Sequence, residues 1–207
     1  MKEIRKIIRE AFDSIGDTAN VYYHGTRTKF PFQTFDPKLD STGINSIGSE
    51  KFGGVFFTSE LENAEFYTEY FICKVKINNI DKNPLSSKSP PLTMKQAVQD
   101  GKNYIIEDVL DGAMVSDVVV VPHNNLNDVT ILEWIFTGEK EWYFESLDQF
   151  FGGDMDPDDE ESYDDDGNLM EPYIDQGTIS SFIRMTGGGL DFLLTIPIFK
   201  EYYESRN

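Results

Sequence analysis

Three observations on the sequence predict an α+β protein with a mostly antiparallel sheet. Residues 2–15 repeat apolar side chains at the helical period of about 3.6 residues. Residues 72–80 alternate apolar and charged side chains, which is typical of a strand with one solvated face. Four apolar segments between 103 and 145 are joined by connections too short for the crossover helices of a parallel sheet.

Local signals predict the other elements. Ser59 is a candidate N-cap for a helix over 60–70, because its hydroxyl can accept a free N–H of the first turn. A further helix is predicted over 93–100. The C-terminal segment FLLTIPIFKEYY is apolar enough to pack on the body, although Pro197 leaves its secondary structure open. The other predicted strands are 21–26, 54–59, 103–109, 117–122, 130–136 and 141–145.

The chain is strongly acidic, and its charge is unevenly distributed. Its 207 residues include 37 Asp and Glu against 18 Lys and Arg, a net charge of −19. Nine of the thirteen residues 154–166 are acidic and none is basic, so we expect this block to stay solvated and mobile. We therefore predict a folded body at 1–151, an acidic flexible loop at 152–169 and a C-terminal extension at 170–207 that packs on the body.

Composition disfavours several classes of partner. A net charge of −19 repels the phosphates of nucleic acids and anionic membranes. No apolar run approaches the roughly 18 residues of a spanning helix, and the first residues, MKEIRKIIREAF, lack the apolar stretch of a signal peptide. The single cysteine, Cys73, excludes a disulfide framework and a cysteine-based zinc site. We therefore expect a cytoplasmic protein that binds neither membranes nor nucleic acid.

The sequence predicts no metal site. Its two histidines, His24 and His123, are not at the i, i+4 spacing of a zinc protease. An EF-hand with Gly167 at loop position six would begin at Ser162 and end at Tyr173, where an aspartate and a bidentate glutamate are required.

His24 and Gly25 form the first candidate site. A His-Gly pair at the end of a strand places free backbone groups beside an imidazole, and glycine allows close approach of a ligand. Such a site can hold a planar amide by two hydrogen bonds while the imidazole meets a hydroxyl. A structural turn at the end of the strand explains the pair equally well.

An ordered set of segments surrounds this pair. VYYHGT is followed by GGVFFTSELENAEFY, then KVKINNI, a Tyr-Ile-Ile strand and an all-Val strand. This set, over residues 20–145, resembles the ADP-ribosyltransferase superfamily, on the diphtheria-toxin-like branch that includes poly(ADP-ribose) polymerases. It looks closest to small phage and bacterial His-Gly-Thr transferases. The resemblance implies split, mostly antiparallel sheets, an N-terminal helix and an NAD cleft.

The resemblance also implies roles for individual residues. His24 would hold the hydroxyls of the nicotinamide-side ribose, and Gly25 would bind the carboxamide through its backbone. Thr26 would line the floor of the same site. Tyr67, ten residues after the strand phenylalanine that matches the family, would stack on the nicotinamide ring. Phe56 occupies a position that is usually tyrosine, so it would keep a stacking face and lose a hydroxyl. Core packing is the alternative role for these aromatic residues.

The family also uses a carboxylate that opens a late strand, and three residues are candidates. Asp117 ranks first, because it opens DVVVVP after a Gly-containing loop. Glu133 lies within TILEWIF on the face expected to hold Ile131 and Ile135, where a buried carboxylate needs a reason to exist. Glu141 opens EWYFE after a turn. If none of them serves, the chain binds NAD without transferring ADP-ribose.

These inferences predict an NAD-dependent mono-ADP-ribosyltransferase, a glycosyltransferase of phage or bacterial effector type. NAD would be its co-substrate, nicotinamide its leaving group and a macromolecule, expected to be a protein, its acceptor. The first alternative is an acidic binding or inhibitor module, either a non-catalytic relative or a nucleic-acid mimic. The second is a small-molecule ADP-ribosyltransferase similar to the rifamycin-modifying enzymes, which would favour Asp117.

Overall fold

A seven-stranded sheet organises the protein. The computed structural model describes residues 20–35, 53–111, 114–152 and 185–206. The strands are β1 Val21–Thr26, β2 Gly54–Thr58, β3 Phe71–Ile77, β4 Ile80–Lys82, β5 Asn103–Asp111, β6 Met114–Pro122 and β7 Val129–Phe136. Their order across the sheet is β4-β5-β6-β2-β1-β3-β7, and only the β4–β5 pair is parallel. The predicted α+β class with a mostly antiparallel sheet is therefore confirmed.

Helices connect and cover these strands. One of them, α2, starts with prolines, which a first helical turn tolerates because its N–H groups have no intrahelical partner. It ends at Gly101, whose φ of 63° is the left-handed conformation that closes many helices. The helices are α1 Leu61–Glu65, α2 Pro90–Asp100, α3 Lys140–Gly152, α4 Leu190–Leu193, α5 Pro197–Arg206 and a 3₁₀ helix at His123–Asp128.

Apolar side chains pack on both faces of the sheet in three clusters. The central core joins β1, β2, β3 and β6 on one face and includes Phe35, Phe57 and Cys73. Beside it, an aromatic cluster packs α3, α4 and α5 against the ends of β3 and β7. On the opposite face, α2 packs on β5 and β6 through Met94 and Ala97, forming the α2 cluster.

The predicted strand at 141–145 is wrong, because this segment is the start of α3. Its buried side chains Tyr143, Leu147 and Phe151 are four residues apart, a spacing that places them on one face of a helix. The aromatic residues of the segment favour strands in isolation. Packing against the aromatic cluster overrides that preference.

The predicted helix over 60–70 is shorter than expected, since α1 ends at Glu65. Ser59 is not its N-cap. Glu60 holds that position and makes no capping hydrogen bond through its side chain, while the Ser59 hydroxyl accepts the N–H of Asp117 at 3.1 Å. This serine therefore joins β2 to β6 at the place where a cap was predicted.

Part of the predicted organisation lies outside the described residues. This applies to the helix over 2–15 and to the acidic loop beyond Gly152. Of the C-terminal extension, the structure describes 185–206, and Leu193 and Phe199 pack in the aromatic cluster with α3. Across the described ranges, the helices are all too short or too polar to cross a membrane.

Candidate functional site

The candidate site surrounds β1, which lies between β2 and β3. β1 pairs with β3 through six consecutive residue pairs, from Val21 opposite Lys76 to Thr26 opposite Phe71. It pairs with β2 only where Tyr23 lies opposite Thr58. The β1–β2 ladder is therefore interrupted beside His24, Gly25 and Thr26, and we call this interruption the β1–β2 gap.

His24 lies at the edge of this gap and faces the central core. Its ring is 5.5 Å, between centroids, from the rings of Phe35 and Phe57. Its Nδ1 is 2.9 Å from the carbonyl oxygen of Phe56. Because a carbonyl oxygen can only accept, Nδ1 carries the hydrogen and donates it. In the neutral imidazole Nε2 is then an acceptor, the form that a ribose hydroxyl can donate to.

The protonation state of His24 follows from its surroundings. Burial lowers the pKa of His24 below its ordinary value of 6.5, and the hydrogen bond to the Phe56 carbonyl opposes that shift without overcoming it. Some of the side chain still reaches solvent, but close packing by neighbouring atoms desolvates the ring. His24 is therefore neutral at pH 7 and keeps its acceptor at Nε2.

Gly25 faces the opposite side of β1, where α1 crosses it. A Cβ atom at this position would lie 2.1 Å from the carbonyl oxygen of Ala64 and 3.0 Å from Cβ of Tyr67. Packing of α1 thus requires glycine here, whether or not a ligand binds. Tyr67 is 47% exposed, so the structure brings the predicted stacking residue against Gly25 with part of its surface in solvent.

The remaining residues that the resemblance implied have structural partners. The Thr26 side chain is buried, and its hydroxyl donates to the Thr28 hydroxyl at 3.0 Å and accepts the Thr28 N–H at 3.1 Å. The Phe56 side chain packs against the α2 cluster, on the face away from His24. Phe56 therefore contributes its carbonyl oxygen to the site, and its ring takes the packing role.

The structure thus forms two pairs of site residues. His24 with the Phe56 carbonyl lies on the central-core side of β1, and Gly25 with Tyr67 lies on the α1 side. Successive residues of a strand face opposite sides of the sheet, so the two pairs lie on opposite faces. A ligand that contacts both His24 and Tyr67 has to occupy the β1–β2 gap.

Asp117 is the candidate acid on the sheet face of His24. It lies on β6, on the same face as Val119, whose partner across the ladder is Phe57. β6 is two strand spacings from β1, about 10 Å. The side chain is buried, and its Oδ1 accepts the N–H of Asp108 at 3.2 Å. Asp117 therefore also holds a bulge in β5.

Glu133 is exposed, and its predicted burial is wrong. Its side chain is 58% exposed and pairs with Lys74 at 3.5 Å across β3 and β7. The register between these strands shifts at Lys74 and Val75, where Glu133 lies opposite Lys74 and Ile131 opposite Val75. This bulge places Ile131 in contact with the central core and separates it from the face of Glu133.

Glu141 does not open a strand. It lies exposed in the first turn of α3, between Lys140 and the exposed Trp142. Of the three carboxylates considered, only Asp117 shares the sheet face of His24.

The Cys73 thiol has a structural role. Burial raises the pKa of the Cys73 thiol well above its usual value, so it remains a protonated core side chain. Within the described ranges, acidic residues, histidines and cysteine form no group of three or more suited to a metal ion.

Sequence reasoning missed two parts of the site. Phe35 packs edge-on against His24 from a loop with no regular pattern, so nothing local marks it. Asp108, which supplies the N–H to Asp117, has a φ of 53° at a bulge inside what appears in the sequence as a regular strand. A non-glycine residue in this conformation is uncommon and is visible only in the fold.

Comparison with known proteins adds no relative. The chain matches no protein-family model, no curated protein and no solved structure.

Proposed function

We propose that this chain is an NAD-dependent mono-ADP-ribosyltransferase that binds NAD in a cleft at the β1–β2 gap. The observation that carries the proposal is the anchored, neutral imidazole of His24, with Nδ1 bound to the Phe56 carbonyl and Nε2 an acceptor. Tyr67 adds a half-exposed aromatic ring against the neighbouring Gly25. An acceptor for a ribose hydroxyl and a surface for a planar ring are the two contacts that such a ligand needs.

Each residue has a defined task in this proposal. Nε2 of His24 accepts a hydrogen bond from a hydroxyl of the nicotinamide-side ribose, and Tyr67 stacks on the nicotinamide ring. The Asp117 carboxylate stabilises the positive charge that develops on the ribose as nicotinamide leaves with the bonding electron pair. A nucleophile of the acceptor then bonds to the ribose carbon that nicotinamide has left, and the nucleophile releases its proton. The acceptor is a macromolecule, which we propose to be a protein.

Calorimetric titration with NAD tests the binding step. His24→Asn keeps an N–H near the position of Nδ1, and therefore the bond to Phe56, but removes Nε2. We expect NAD affinity to fall by roughly 1–3 kcal/mol in His24→Asn and in Tyr67→Ala. Phe66→Ala is the matched control, because Phe66 is the adjacent aromatic residue and is 61% exposed.

Two results would contradict NAD binding at this site. One is wild-type affinity in both His24→Asn and Tyr67→Ala with the fold intact. The other is an equal loss in Tyr67→Ala and Phe66→Ala, which would assign the effect to the surface of α1 in general.

Transfer is tested separately with labelled NAD and a cell lysate. Asp117→Asn keeps an oxygen that can accept the Asp108 N–H and removes only the charge. We expect this variant to retain NAD binding and to lose transfer by roughly a hundredfold, the scale of losing one electrostatic stabiliser. Unchanged transfer in Asp117→Asn would remove Asp117 as the acid.

One observation favours a second function, an acidic binding module that does not transfer ADP-ribose. Asp117 already bonds to the bulge in β5, Glu133 pairs with Lys74 and Glu141 lies on α3. On this alternative the candidate acids are structural or surface residues, and the net charge of −19 serves a basic partner. If the wild type neither transfers the label nor releases nicotinamide, that result favours the binding module.

A further inference from the structure

Two cations directly after β1 stand out in this acidic chain. Six of the described lysines form ion pairs with acidic side chains: Lys74, Lys82, Lys88, Lys102, Lys140 and Lys200. Arg27 and Lys29 differ from them, because no carboxylate of the described residues lies within 4.0 Å of either one. In a chain with twice as many acids as bases, such a pair is suited to an external anion.

The segment that carries the two cations is held in place at both ends. Thr26 and Phe30 are buried, and the Thr28 hydroxyl donates to the Phe30 carbonyl at 3.0 Å. Between these two buried residues, Arg27 is exposed and Lys29 is partly exposed. A segment ordered in this way loses little freedom when an anion binds.

A hydrogen bond places the start of this segment beside the chain that follows α1, because the Thr26 carbonyl oxygen accepts the Thr68 hydroxyl at 3.0 Å. Gly25, two residues before Arg27, faces Tyr67. Arg27 lies at most about 7 Å and Lys29 at most about 14 Å from Gly25, because the chain turns between Thr26 and Thr28. Because only a ribose separates the nicotinamide of NAD from its diphosphate, a ring stacked on Tyr67 leaves the diphosphate within reach of this segment.

Negative side chains near the segment do not neutralise it. Glu69 is an exposed acid whose backbone contacts this segment, because its N–H donates to the Thr26 carbonyl at 3.3 Å. Its carboxylate makes no ion pair with Arg27 or Lys29 in the described part of the chain. A diphosphate is then the group that both cations can bind together, with the arginine fork matching phosphate oxygens.

We propose that Arg27 and Lys29 form a diphosphate-binding subsite at the end of β1 that holds the dinucleotide by its central phosphates. This inference rests on the proposed NAD binding, and it makes the ligand a diphosphate-linked nucleotide. A free nicotinamide or a neutral nucleoside would not use the subsite.

Calorimetric titrations of the full chain with four probes test the subsite: NAD, ADP-ribose, inorganic pyrophosphate and nicotinamide. In the double variant Arg27→Gln/Lys29→Gln we expect affinity for the first three to fall by about tenfold or more, the scale of losing a charged hydrogen bond. Nicotinamide binding should not change. Lys95→Gln on α2 is the matched control, because Lys95 is exposed and likewise lacks an ion pair with a described carboxylate.

The probes separate failure of the subsite from failure of the proposed function. Wild-type affinity for NAD and ADP-ribose in the double variant overturns the subsite and leaves NAD binding intact. If the wild type does not bind NAD, the pyrophosphate titration decides: binding that the double variant loses and Lys95→Gln keeps supports an anion subsite, and no binding overturns it. Circular dichroism melts check that every variant is folded.

Discussion

Replacing Gly25 by alanine separates packing from ligand binding at the candidate site. The added Cβ would lie 2.1 Å from the carbonyl oxygen of Ala64, and that oxygen would have to retreat by about 0.9 Å to reach even 3.0 Å. Because the atom is backbone, α1 has to move as a whole. Overpacking of this kind costs about 1–3 kcal/mol, and we expect about 3 kcal/mol here. Urea unfolding should show this loss of free energy, and thermal unfolding should show a Tm lower by about 6–12 °C.

Gly189→Ala is the matched control for this substitution. Gly189 has a φ of −76° and no neighbouring atom within 4 Å of an added Cβ, so alanine there should be close to neutral. Wild-type stability in Gly25→Ala would refute the packing argument. If the loss is observed, reduced NAD affinity in Gly25→Ala does not prove a backbone contact with the carboxamide, because Tyr67 moves together with α1.

Two further predictions concern buried polar groups. Tyr143 is fully buried and its hydroxyl has no hydrogen-bond partner within the described residues, whereas the Tyr202 hydroxyl donates to Asp148 at 2.9 Å. In urea titrations, Tyr143→Phe should raise the free energy of unfolding by about 1 kcal/mol and Tyr202→Phe should lower it by about the same amount; a clear loss in Tyr143→Phe would refute this. Because burial lowers the pKa of His24, its contribution to stability is complete above pH 6.5 and declines as the pH falls below that value. The wild type should therefore lose more stability than His24→Asn on acidification below pH 6.5, and equal losses would contradict the assignment.

The sequence predicted most of the sheet because strand patterns are local. Alternation and apolar runs identified β1, β2, β3, β5, β6 and β7 within a few residues. The same reasoning failed for α3. Its residues Trp142, Tyr143 and Phe144 favour strands, and only the arrangement of the aromatic cluster selects the helix.

Irregularities in the strands limited the prediction of the candidate site. Strict alternation placed Glu133 with Ile131, and the bulge in the β3–β7 ladder separates them. Likewise the His-Gly pair was identified from its sequence, but the face of each residue and the single β1–β2 contact at Tyr23 are properties of the sheet. A one-residue shift reverses which face a side chain occupies, and no local pattern marks such a shift.

Asp117 shows how one irregularity bears on both proposed functions. The bulge in β5 gives Asp108 a φ of 53° and directs its N–H to the Asp117 carboxylate, while Lys88 bonds to the Asp108 carbonyl at 3.0 Å. Bulges commonly re-aim side chains next to active sites, but a buried carboxylate that satisfies a bulge N–H is also sufficient as a purely structural element. Charge distinguishes the two, because the hydrogen bond needs only an oxygen and the developing cation needs an anion. Asp117→Asn removes the charge and keeps the oxygen, so lost transfer at unchanged stability identifies the acid, and unchanged transfer identifies the structural element.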